Sequence, residues 1–133
     1  MITNTRNGDV LLSINEYKSD FSAGYISYYD SVKYSHLFIL AMTFVWQYYR
    51  HDSSFHDSTY VSSLWYSYTL DKACFIFYTM EQQAAIIADY WLLRTYDLTE
   101  YENFSNCKRD ERFKINEGIE LLKEYESILW MHI

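Results

Sequence analysis

The chain has no proline, only three glycines and only two cysteines. Three glycines cannot build a Gly-rich phosphate loop, and no GxSxG turn is present to expose a nucleophilic serine. Cys74 and Cys107 stand far apart, match no CxxC or zinc-ribbon spacing, and read as free thiols that are buried or partly buried. No Cys/His pair has the spacing of a nucleophile and its base. No apolar run approaches the ~20 residues that a membrane-spanning helix needs. The first nine residues lack the charged-then-apolar order of a signal peptide, so a soluble, cytoplasmic protein without a membrane partner is expected. Positive charge is also short. Eleven Lys and Arg against 18 Asp and Glu give a net charge of −7, which repels phosphate backbones and suits a basic partner better than DNA or RNA.

What remains is one domain, residues 1–133, because a single core is the norm at this length. Half of the residues are hydrophobic, enough for a globule that buries roughly two-thirds of its unfolded surface without a disulfide scaffold. Fifteen tyrosines and four tryptophans stand out. They fit a binding face, where Tyr and Trp supply contact area at low entropic cost, and they fit equally a tyrosine-rich rim around the core.

Periodicity predicts an α+β, mainly helical fold with three main helices and one or two short strands. Residues 9–14 read as an edge or hairpin strand after a turn at Gly8. A first helix is predicted over Val32 to Arg50, with Leu37, Phe38, Ala41, Phe44, Val45 and Tyr48 on one face. Residues 60–70 read as extended. Thr79 and Gln82 have the spacing of a capping box that opens a second helix running to about Tyr96, with Ala84, Ala85, Ala88, Trp91, Leu92 and Thr95 inward. Residues 97–110 read as a polar connection. A third helix is predicted from about Asp110 to Met131, turning Ile115, Ile119, Leu122, Tyr125 and Leu129 inward. Gly118 within it either costs roughly 1 kcal/mol relative to Ala or permits close packing.

The segment His36-Leu37-Phe38-Ile39-Leu40-Ala41-Met42-Thr43-Phe44-Val45-Trp46-Gln47 resembles HLFIHEMTHVWQ, a stretch of bacterial zincin-like proteins encoded near VgrG and Rhs genes of type VI secretion systems. Asn7-Gly8 with the strand after it, Tyr17 to Ser22, Tyr66 to Leu70, and Met80 to Tyr90 look like that family's NG, YxxDFS, YxYxL and MEQQAxIxxDY segments, in the same order. The resemblance covers residues 7–96, leaving 97–133 as a C-terminal loop and helix. In such proteins HExxH sets two histidines one helical turn apart on a zinc ion, with the glutamate as general base. Here those positions are Leu40, Ala41 and Phe44, so the resemblance implies a degenerate metallopeptidase shell without catalytic residues, metal or cofactor. Glu81 would take the place of the third zinc ligand. A helix-start acid is the simpler reading of it, since a lone carboxylate cannot hold zinc. A displaced site built from His36, Glu81 and His51 or His56 is the remaining metal reading. Against it, the three histidines read as hydrogen-bonded surface groups.

Once metal is lost, two inward imidazoles and a carboxylate would be buried without partners at roughly 1 to 3 kcal/mol each, whereas Leu40 and Phe44 fill the cleft. The resemblance thus implies a pseudoenzyme that works by protein–protein interaction. The expected role is an immunity protein that neutralises a type VI toxin domain by direct binding. An adaptor or chaperone for a type VI effector is the alternative from a different class, and a residual metallopeptidase is the third. Nine of the 18 acids fall between Asp97 and Glu126. The expected contact surface is therefore Tyr101, Glu102, Phe104, Glu117, Glu120, Glu124 and Tyr125, facing a toxin with a basic groove. Exposed aromatics would also suit a homodimer.

Overall fold

The computed structural model describes residues 2–4, 10–12, 27–50, 66–108 and 117–129. Among them the order is β1 (Ile2–Asn4), β2 (Val10–Leu12), α1 (Tyr28–Arg50), α2 (Met80–Thr95), α3 (Leu98–Phe104) and α4 (Glu117–Leu129), with a short 3-10 turn at Phe75–Phe77. The fold is mainly helical. β1 and β2 pair antiparallel, Ile2 opposite Leu12 and Asn4 opposite Val10, so the predicted strand does belong to a hairpin, with a partner strand that the sequence reading did not anticipate.

Helix α2 is the centre. Thr79 caps it as predicted: its hydroxyl accepts from the Gln82 backbone N–H at 3.1 Å, while the Gln82 side chain accepts from the Thr79 N–H at 3.1 Å. Buried residues run around most of its circumference, from Glu81 through Ala84, Ala85, Ile86, Ala88 and Asp89 to Leu93. A helix apolar on most sides must be covered on most sides, and α1, α3 and α4 all pack on α2. Its alanines leave room for that. Thr95, expected inward, is exposed, and Trp91 is half-buried against Tyr96.

Helices α1 and α2 run antiparallel, tied near both ends. The Gln47 Nε2 donates to the Met80 carbonyl at 2.9 Å, and His36 Nε2 lies 2.8 Å from Asp89 Oδ1. The buried residues of α1 are Val32, Tyr34, His36, Leu40, Ala41, Thr43, Phe44 and Gln47, of which Ala41 and Phe44 belong to the predicted face. This corrects the predicted face by a partial rotation. Leu37 and Val45 are half-buried and Phe38 is 41 % exposed. Tyr48 lies outside the side chains described.

Two further expectations need correction. The polar connection at 97–110 contains α3, capped by Asp97, whose carboxylate accepts from the Thr99 and Glu100 N–H groups at 3.1 and 3.2 Å. The inward face of α4 is Leu121, Tyr125, Ile128 and Leu129, with Leu122 half-buried, while Ile119 is 67 % exposed. Residues 110–116, including Ile115, lie outside the described residues, as do 60–65. Among the described residues of the predicted extended segment, Tyr68 forms a bridge, parallel to Cys107, with the Lys108 N–H donating to the Tyr68 carbonyl at 2.7 Å.

A Cβ added to Gly118 would meet nothing within 4 Å, so close packing does not explain this glycine. Gly118→Ala is expected to stabilise the protein by about 0.5–1 kcal/mol, read as a rise in the thermal midpoint. An unchanged or lowered midpoint would contradict that.

Candidate functional site

The motif positions of α1 come first. Leu40, Ala41 and Phe44 are all buried, Phe44 to 1 % exposure, within the cluster that also holds Tyr66, Tyr78, Ala84 and Ala85. The Phe44 and Tyr66 rings meet edge to face with centroids 5.9 Å apart. Tyr66 in turn feels the charge of Glu81: burial first, and the Glu81 carboxylate second, push its phenol well above the ordinary value near 10. Glu81 is buried in the first turn of α2. Helices α1 and α2 pack together, and Tyr66 lies against Phe44 and within reach of the Glu81 charge. The residues do not fit zinc, because Leu40, Ala41 and Phe44 have no donor atoms, and no group of three His, Cys, Asp or Glu side chains that could hold a metal ion occurs among the described residues.

A displaced metal site using His36 and Glu81 fails on distance. His36 sits at Asp89, eight residues along α2 from Glu81, which is about 12 Å of helix. His51 and His56 lie outside the described residues. His36 is also buried, not the surface group expected of it.

The second constellation is a polar network in the core that the sequence reading missed. Asp89, wholly buried on α2, accepts from three directions. His36 of α1 meets Oδ1 at 2.8 Å; the Tyr68 hydroxyl and the Asn106 N–H donate to Oδ2 at 2.7 and 2.9 Å. Since the single Tyr68 proton goes to Asp89, Tyr68 accepts from the Tyr125 hydroxyl of α4. Tyr125 in turn accepts from the Tyr101 hydroxyl of α3 at 2.7 Å. Asp89 and the three tyrosines thus link the four described helices and the 66–70 segment. Such a fully satisfied network specifies a single arrangement, since any slip strands a buried donor.

Burial and then the Asp89 charge push the Tyr68 and Tyr125 phenols far above the ordinary value, and burial does the same for Tyr101. The sign for stability follows. Below pH 10 these phenols are neutral whether folded or unfolded, and their contribution is intact. Above pH 10 only the unfolded chain can ionise them, so stability falls as pH rises further. Tyrosine absorbance at 295 nm is expected to rise for these groups in step with loss of helical circular dichroism. Full ionisation of all tyrosines while the helices persist would contradict the network.

The expected contact surface divides. Tyr101 and Tyr125 are fully buried in the network, so neither can touch a partner in this fold. Phe104 is half-buried against Tyr29, ring centroids 4.9 Å apart. Glu102 on α3 and Glu120 and Glu124 on α4 are exposed. The Glu117 side chain lies outside those described. No family model matches this chain, nor does any curated protein or solved structure. Among the described residues no helix is long and apolar enough to cross a membrane.

Proposed function

We propose that this chain is a non-catalytic protein-binding module on a zincin-like shell, an immunity protein that neutralises a type VI toxin domain of the Rhs or VgrG kind by binding it in the cytoplasm. The observation that carries this reading is the filled cleft. At the three positions where the resembling proteins hold metal and base, this chain has apolar side chains buried between α1 and α2 and the Tyr66 ring. Filling a cleft with Leu and Phe gains burial energy and removes the place where a substrate bond would be polarised. The core below is cross-tied by the Asp89 network, which suits a rigid scaffold whose outer surface does the work.

The test is survival of cells expressing the toxin domain encoded beside this gene, with and without this protein. Rescue together with co-purification is expected. Binding without rescue would favour an effector adaptor, and absence of both would overturn the reading. In protein purified without a metal-binding tag, zinc is expected far below one ion per chain; stoichiometric zinc would revive the metallopeptidase reading.

A further inference from the structure

The 3-10 turn Phe75–Phe77 ahead of α2 holds one aromatic in and two apolar side chains out: Phe75 is buried, whereas Ile76 and Phe77 are 64 and 63 % exposed. Single exposed hydrophobics are ordinary on a protein surface. Here two stand in succession on a turn fixed by hydrogen bonds. The Phe77 and Tyr78 N–H groups donate to the Cys74 and Phe75 carbonyls, each at 3.1 Å. The Tyr78 hydroxyl donates to the Thr69 carbonyl at 2.8 Å and accepts from the Lys72 N–H at 3.2 Å, and the buried Gln83 amide donates to the Tyr78 carbonyl at 2.9 Å. Ile76 and Phe77 are thereby held out with little backbone freedom left to lose on binding.

Beside the turn opens a polar hollow of about 250 Å³, lined by Lys72, Lys108, Asp71, Tyr78, Gln82 and Thr69 among others. Two lysines against one aspartate make this part of an acidic chain locally positive, and Lys72 Nζ stands 5.8 Å from the centre of the Tyr78 ring. Apolar anchor and positive hollow are contiguous through Lys72 and Tyr78.

We infer that Ile76 and Phe77 are the anchor of the protein–protein contact, entering an apolar socket on the partner while an Asp or Glu side chain of that partner reaches between Lys72 and Lys108. This rests on the immunity reading for the partner's identity and moves the contact from the acidic helix α4 to the turn ahead of α2. Hot spots of interfaces are rigid, central apolar or aromatic groups rimmed by polar pairs, which matches this layout. A lipid surface is disfavoured, because the chain carries a net −7 and Asp71 is exposed beside the turn, and two apolar side chains insert too little to anchor a protein.

The experiment is titration of the full chain into the toxin domain encoded beside the gene, comparing the unsubstituted protein with Phe77→Asp, Ile76→Asp, Lys72→Glu/Lys108→Glu and Glu120→Lys/Glu124→Lys. Both turn substitutions are at exposed positions, so thermal midpoints should hold while Phe77→Asp weakens binding about thirty-fold or more. The lysine reversal is expected to weaken it about ten-fold or more by placing two carboxylates against another. Unimpaired binding by Phe77→Asp and Ile76→Asp would overturn the anchor and leave the immunity reading standing, as would loss confined to the Glu120/Glu124 variant. Failure of the unsubstituted chain to bind the toxin would overturn both. Binding to phosphatidylserine-containing vesicles that Phe77→Asp abolishes would overturn the protein anchor in favour of a membrane.

Discussion

Asp89→Ala is expected to destabilise the protein by about 3–5 kcal/mol, because it removes the one acceptor shared by several buried donors. The truncation leaves the Tyr68 hydroxyl, the Asn106 N–H and His36 facing a void with no acceptor, and each stranded donor costs roughly 1–3 kcal/mol before relaxation. A domain of ordinary stability has about 5–15 kcal/mol to lose, so much of the chain would be unfolded at moderate denaturant. Asp89→Asn separates hydrogen bonding from charge. Its carbonyl oxygen can still serve Tyr68 and Asn106 from the Oδ2 position, and its amide can donate to an unprotonated His36 Nε2, so a clearly smaller loss is expected. Urea unfolding followed by circular dichroism measures both. A loss below about 1 kcal/mol for Asp89→Ala, the scale of a surface change, would mean that the network does not hold the helices together.

The triple substitution Leu40→His/Ala41→Glu/Phe44→His is expected to act in two opposite directions. Without metal it buries three polar groups where Leu40, Ala41 and Phe44 now pack, costing several kcal/mol at about 1–3 per group, beyond the lost apolar burial. With zinc, the two imidazoles one turn apart and Glu81 across the helix pair form a three-ligand site, and binding to the folded state alone restores stability. The readout is a thermal midpoint that falls in chelator and recovers on adding zinc. A midpoint indifferent to zinc would contradict the placement of Leu40 and Phe44 opposite Glu81, and with it the resemblance on which the functional reading draws.

Features written in short stretches of chain were legible. The Thr79 and Gln82 capping box fixed the start of α2 because both partners lie within one turn, and the alanines behind it were placed on the inward face where they are buried. The same kind of signal at Asp97 and Glu100 announced α3, yet it was overlooked because the seven residues it opens are mostly polar. The core face of α1 was placed only in part, at Ala41 and Phe44, for a different reason. His36, Thr43 and Gln47 lie on it, and polar residues break an apolar stripe unless their partners are known. Those partners are distant: His36 meets Asp89 53 residues later, and Tyr68 meets Tyr125 57 residues later. The tyrosine excess fitted a binding face and a core rim equally, and part of it is internal. Tyr101 moved from expected contact residue to core for that reason; Tyr125, read both as inward on the third helix and as a contact residue, is core. Ile76 and Phe77, in a segment with no helical or strand period, gave no sign that they would point outward.

The proposed binding role is tested by titrating this protein into the purified toxin domain while following the toxin's own activity. A linear fall to no activity at equal molar amounts is expected, as a tight one-to-one complex requires. Full toxin activity in a large excess of this protein would contradict it.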